Sequence, residues 1–194
     1  VVRRHPVNVR ANEISGMVEG GIVVSPTTGV EDLEIVENTV VECGGGSNDS
    51  YGWWAQEGIR VVDIKRVRLH GNRVVDSPAG ALAVYVDAID QLIFTDNTVR
   101  GLGRFVSQTG GATTGSETAE SSVIIVYYLL TDVSAQSRAT VNANLFDSSR
   151  PNRTPMRLDV SNGHGIVTSN TNTGNFAITV IGANVQTGFN HPNI

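Results

Sequence analysis

One short phrase recurs along this chain: an apolar residue, then an asparagine three places later, then a second apolar residue two places beyond. The asparagines are Asn12, Asn38, Asn72, Asn97, Asn144 and Asn170. The residues three places before them are Val9, Ile35, Leu69, Phe94, Val141 and Val167. Two places after them stand Ile14, Val40, Val74, Val99 and Phe146, with Asn172 in the sixth phrase, where the pattern is expected to fade. A unit this short cannot bury its own apolar face, so repeats of it must stack on one another to form a core.

The stretch from Gly58 to Asp76 shows the phrase most fully. It predicts three short strands, Ile59–Val62, Val67–Leu69 and Arg73–Val75, with a turn after each and Asn72 at the corner between the second and third. A further column of strands precedes each asparagine segment, beginning at Ile22, Ile59, Leu82, Val123 and Met156. These segments alternate apolar and variable residues and are rich in β-branched side chains, which is the signature of strands. No segment sustains a 3.6-residue period, so little helix is expected. The turns are not the Asn-Gly or Asp-Gly pairs of tight hairpins. Each phrase is therefore read as one circuit of a coil, with equivalent strands of successive circuits parallel and about 4.8 Å apart.

The pattern Gly-Ile-x-Val…x-Val-x-Leu-x-x-Asn-x-Val resembles the repeat of right-handed parallel β-helix proteins, the superfamily of pectate lyases, polygalacturonases, phage tailspikes and many adhesins. The resemblance runs from about Val7 to Asn170. It implies an all-β fold, a right-handed single-stranded parallel β-helix (solenoid), in one domain over residues 1–194. It also implies that the asparagines stack as a ladder at a tight corner. Asparagine suits such a corner because it tolerates left-handed backbone and its amide can bond along the stack.

Two long loops are expected, at about 44–54 and 101–122, both rich in glycine and small polar residues. Loops of this length are often functional. Phe176–Ile181 reads as one last strand, and an irregular tail is expected from about 185. The chain opens Val-Val-Arg-Arg without methionine, which predicts a processed product or a piece of a longer coil. No capping helix is visible at either end, so the terminal sheet edges are expected to meet a partner or more chain.

Charge narrows the function. The formal net charge is -5, and the basic residues are dispersed apart from Lys65, Arg66 and Arg68. That excludes a basic nucleic-acid face, and the small cluster reads as solvated surface. The longest apolar run, Val123–Leu130, is too short to predict a membrane span. Cys43 is the single cysteine. His5, His70, His164 and His191 have no metal-ligand spacing, and no phosphate loop is present. Neither a metal nor a cofactor is expected.

The strand column beginning at Ile22 suggests a working surface. Taking Ile59, Val61, Leu82, Val84, Met156 and Leu158 as inward, one outward file is Val23, Arg60, Ala83, Ile124, Arg157 and the next is Ser25, Val62, Tyr85, Val126, Asp159. This face is apolar around Tyr85, Ile124, Val126 and Tyr128, which reads as an interface covered by a loop or another subunit. Tyr51, Trp53 and Trp54, at the edge of the first loop, are candidates for stacking on sugar rings, with Tyr85 beside them; sealing of the loop is the alternative.

Catalytic candidates are fewer. Glycoside hydrolysis requires two carboxylates at set separations, and the outward files offer only Asp159. Asp63 and Asp87 fall where their strands end and are expected to stack as neighbours. Gly163-His164-Gly165 is similar to a polygalacturonase segment whose histidine assists aspartates, but the surrounding acidic motifs are missing, so His164 reads first as a turn residue. If the chain is an enzyme, Asp63, Asp87, Asp159, His164 and Arg157 are the residues to substitute. The expected function is nonetheless a structural or binding module: part of a phage spike or fibre, a surface adhesin or a self-assembling scaffold, contacting polysaccharide. A polysaccharide lyase or glycoside hydrolase acting on an acidic polysaccharide is the alternative. The expected location is extracellular, on a cell surface or a virion, in a homo-oligomer or a longer chain.

Overall fold

A computed structural model describes residues 6–17, 20–24, 30–43, 57–77, 84–101, 124–127, 138–148, 156–160, 163–173, 178–182, 184–188 and 191–192. For Asp63, Asp87, Ile124, Val126, Arg157 and Asp159 only the backbone is described. The described residues form strands and no helix. The strands are parallel throughout and lie in two sheets, one of eleven strands and one of seven.

The larger sheet contains two columns. The first runs from Ile22–Val24 through Ile59–His70, Val84–Thr95, Ile124–Tyr127 and Met156–Asp159 to Thr179–Ile181. The second runs from Val7–Arg10 through Asp32–Val36, the later halves of the two long strands, Arg138–Asn142 and His164–Thr168 to Asn184–Thr187. The smaller sheet is the third column, from Glu13–Ser15 through Thr39–Val41, Arg73–Ser77, Thr98–Gly101, Leu145–Ser148 and Thr171–Asn172 to His191–Pro192. In the fullest phrase the first two expected strands are a single strand, Ile59–His70, and the expected turn is replaced by register shifts between Val61 and Arg66. Pairing with the neighbouring strand resumes on the far side of the shift, as a bulge allows.

The core lies between the sheets, and the recurring phrase supplies its rows. The residues three before each asparagine stand in one register row, and Ile35, Leu69, Phe94, Val141 and Val167 are all buried. The residues two after each asparagine form the facing row in the other sheet, with Val40, Val74, Val99 and Phe146 buried. The rings of Phe94 and Phe146 stack across the core, 6.4 Å between centroids. The row does not fade at Asn172, which is buried in register with Phe146. Around and beyond residue 185, Asn184–Thr187 and His191–Pro192 each add a parallel strand.

The asparagines form a ladder with the same bonds at every described rung. The backbone N–H of Asn12 donates to Oδ1 of Asn38, Asn38 to Asn72, Asn72 to Asn97, Asn97 to Asn144 and Asn144 to Asn170, at 2.9–3.1 Å. Nδ2 of each donates to the same Oδ1, at 2.8–3.0 Å. From the second rung on, Nδ2 also donates back to the carbonyl three residues before the previous asparagine: Val9, Ile35, Leu69, Phe94 and Val141. The apolar residue of the phrase thus gives its side chain to the core and its carbonyl to the ladder.

One expectation about these corners is corrected. The left-handed residue is not the asparagine but the one before it: Ala11, Glu37, Gly71, Asp96, Ala143 and Ser169, with φ of 53–65°. The tight turn is made one residue early so that the asparagine's own N–H and amide both point along the stack. Only one of the six is glycine, so five corners accept the strain that left-handed backbone imposes on a residue with a Cβ.

Candidate binding face

The outward side of the first column was the expected working surface, and the structure shifts its register. Val23, Arg60, Tyr85, Ile125 and Arg157 stand in one row. Ala83 and Leu82 lie outside the described residues. Ile124 stands in register between Val84 and Met156, and Val126 between Val86 and Leu158, and all four of those neighbours are buried. Ile124 and Val126 therefore share backbone register rows with buried residues. Alternation cannot fix such a register. Leu82, Val84 and Val86 have the same parity, and Val123–Tyr128 is apolar throughout, so slips of two and of one residue leave the pattern equally good.

Arg60 is the unexpected residue of this face. It belongs to an outward row, yet it is 4% exposed. Its Nη1 donates to Oε1 of Glu57 at 3.0 Å, with both side chains about 95% buried. Its guanidinium lies 4.9 Å from the centroid of the Tyr85 ring, in cation–π range. A charge removed from water is retained only where a partner compensates its desolvation, and here the partner is three residues upstream. Tyr85 is half-buried. Sequence reading singled out Tyr85 and missed Glu57 and Arg60, because alternation places Arg60 outward and says nothing of its burial.

The acidic candidates are placed by backbone. Asp87 stands in register with Tyr127, and Tyr127 with Asp159. Asp63 and Asp87 both lie within a strand rather than at its end, Asp63 at the register break between Val61, opposite Val86, and Ile64, opposite Ala88. Asp63 and Asp87 are thus on adjacent strands, and Asp159 is two strands beyond Asp87, about 9.6 Å at ordinary strand spacing. Arg157 stands in the neighbouring row, between Ile125 and Thr179. His164 is not with them. It opens a strand in the second column, exposed, in register with Arg138 and Asn184. Tyr51, Trp53, Trp54 and Tyr128 lie outside the described residues.

The second column carries a charge pairing that the sequence showed only by half. Lys65, Arg66 and Arg68 face Glu31 and, on the paired strand Asp32–Val36, Asp32 and Glu34. Arg66 makes a two-pronged bond to Asp32, Nε to Oδ1 and Nη2 to Oδ2, and reaches Glu31 at 3.5 Å. Lys65 pairs with Glu31 at 3.3 Å and Arg68 with Glu34 at 3.7 Å. The Arg66 hydrogen bond holds the Asp32 carboxyl below its ordinary 3.8, against a smaller opposing effect of burial. Arg66 is raised in turn, first by Asp32 and further by Glu31 and Asp90. These bases are neutralised locally. Beyond them the same face turns neutral: Ile93, Thr140 and Ile166 follow Arg68 in its row.

Among the described residues no group of three or more His, Cys, Asp or Glu side chains is placed to hold a metal ion. No helix among them is long and apolar enough to cross a membrane. No family model matches the chain, and neither a curated protein nor a solved structure matches it. What the geometry defines is a class, an all-β protein of stacked parallel strands with an asparagine ladder at one corner.

Proposed function

We propose that the chain winds as a right-handed single-stranded parallel β-helix and serves as a non-enzymatic structural or binding module, of the kind found in phage spikes and fibres, surface adhesins and self-assembling scaffolds outside the cell. The ladder is the observation that carries this reading. One corner recurs six times, its asparagines joined by five repeats of one hydrogen-bond link, while sequence of variable length enters between the other strands. Such a body is a stiff rod on which loops and outward faces are displayed. The described charged groups favour display over chemistry: Asp32, Glu34, Arg66 and Arg68 pair with one another, and Arg60 is held by Glu57. Polysaccharide is the ligand to test first, on Tyr85 and the aromatic cluster Tyr51, Trp53 and Trp54. A glycan array and isothermal titration with neutral and acidic polysaccharides test the reading. Binding lost on Trp53→Ala and Trp54→Ala, with no product released, supports it.

A second reading, a lyase or hydrolase acting on an acidic polysaccharide, is favoured by one observation. Asp87 and Asp159 share a row two strand spacings apart, close to the roughly 6.5–9.5 Å that inverting hydrolysis uses. Release of reducing ends, or a rise in unsaturated-product absorbance, that disappears in Asp87→Asn and Asp159→Asn would replace the non-enzymatic reading.

A further inference from the structure

The outward row of the first column holds an aromatic ring on a fixed base. Val23, Arg60 and Tyr85 stand side by side on three neighbouring strands. Val23 is 44% exposed and Arg60 is 4% exposed, while Tyr85 is half-buried. The Arg60 guanidinium lies over the Tyr85 ring, 4.9 Å from its centroid. A second contact fixes the guanidinium. Its Nη1 donates to Oε1 of Glu57 at 3.0 Å, and both side chains are buried. Pulling a buried guanidinium away from its carboxylate strands both charges, so the ring rests on a group held in one place.

We infer that Arg60 is a positioning residue: it holds Tyr85 in place to meet an uncharged polysaccharide. The inference rests on the binding reading proposed above, and adds to it the class of polymer and the residue that sets the ring. Charge favours a neutral polymer. The chain carries a formal net charge of -5, so an acidic polysaccharide approaches against like charge. Arg60, Lys65, Arg66, Arg68 and Arg100 are ion-paired within the chain, which balances their charge locally. Tyr85 offers an apolar ring and a hydroxyl, which match the C–H faces and hydroxyls of a neutral sugar.

Arg60 acts through the ring. An exposed tyrosine exchanges between rotamers, and a ligand that packs on it must first order it. A ring held by a cation–π contact is ordered before the ligand arrives. Arg60 is itself too deeply buried to meet a polymer at the surface, so its effect on binding passes through Tyr85.

A double-mutant cycle read by isothermal titration of the full chain tests the inference. The probes are hydroxyethyl cellulose, dextran and mannan as neutral polymers, and alginate and hyaluronate as acidic ones. Binding to a neutral polymer is expected, and it should persist in high salt. Glu57→Gln with Arg60→Met removes the ion pair without stranding a buried charge, and is expected to weaken that binding about three- to tenfold. In a Tyr85→Leu background the same pair of changes is expected to have no further effect. Arg60→Lys keeps a cation for the ring and is expected to weaken binding only about twofold. Chemical denaturation checks that each variant folds; if the paired variant does not, Arg60→Lys with and without Tyr85→Leu decides the matter. Binding to none of the five polymers would overturn the binding reading and the inference with it. Binding to the acidic polymers alone would leave that reading standing and overturn the inference. So would neutral binding that the Arg60 variants leave unchanged, or weaken equally with and without Tyr85.

Discussion

The asparagine turn and the other connections between the strands of this molecule obey different rules. At the asparagine corner two residues always separate the strands: Arg10 from Glu13, Val36 from Thr39, His70 from Arg73, Thr95 from Thr98, Asn142 from Leu145 and Thr168 from Thr171. Between the first and second columns the chain runs straight through in Ile59–His70 and in Val84–Thr95. Between the third and first columns the gap reaches from Gly101 to Ile124. The rung spacings of 26, 34, 25, 47 and 26 residues therefore vary entirely outside the asparagine corner. The difference teaches where insertion is tolerated. A corner whose side chain, backbone N–H and carbonyl are all bonded along the stack cannot admit another residue without stranding buried polar groups. The other connections carry no such constant length between their described strands.

Breaking the fixed corner should produce the largest effect. Asn72→Ala removes the acceptor of both Asn38 donors and the donor to Ile35 and Asn97, all buried. We expect a loss of about 2–5 kcal/mol in chemical denaturation. Asn12→Ala, at the exposed first rung, should cost less than about 1 kcal/mol, because water replaces its bonds. Equal costs would mean that stacking does not confer the ladder's stability.

The next test sharpens the corner itself. Ala143 has a φ of 55°, so Ala143→Gly should relieve strain and stabilise by about 0.5–1 kcal/mol after the entropic cost of glycine. Gly71→Ala should do the reverse. A Cβ at Gly71 meets only Glu37 Cγ at 3.6 Å, so any loss there reports backbone conformation and not crowding.

The smallest effect belongs to the outward face. Asp32→Asn should cost at most about 1 kcal/mol, because the Asp32–Arg66 pair is partly solvated and screened. The Asp32 carboxyl titrates below its ordinary value when folded. Its contribution is therefore complete above the unfolded value and is lost as pH falls through the lower, folded one. Wild type and Asp32→Asn should differ at neutral pH, converge in acid, and differ less in high salt. A gap that persists in acid would show that the side chain matters by packing and not by charge.

Much of the fold was legible because the repeating unit carries several independent signals. Val9, Ile35, Leu69, Phe94, Val141 and Val167 mark one core row without any structure in hand. The register of the first column was not legible around Leu82–Val86 and Val123–Tyr128, where several apolar residues satisfy the alternation equally. The candidate face was less legible still. Arg60 reads as an ordinary exposed arginine, and neither its pairing with Glu57 nor its place beside Tyr85 on the adjacent strand is visible in the alternation. Glu31, Asp32 and Glu34 gain their meaning only opposite Lys65, Arg66 and Arg68, 34 residues away.

By itself the order of residues determined that this chain forms short strands, that those strands repeat, and that asparagine marks each repeat, because propensity and spacing are local properties. Tertiary structure alone decided which residues became neighbours across strands, which residue of each corner took the left-handed turn, and which charges were buried or paired. Those outcomes depend on register, and a parallel stack sets register by contacts between residues far apart in the chain.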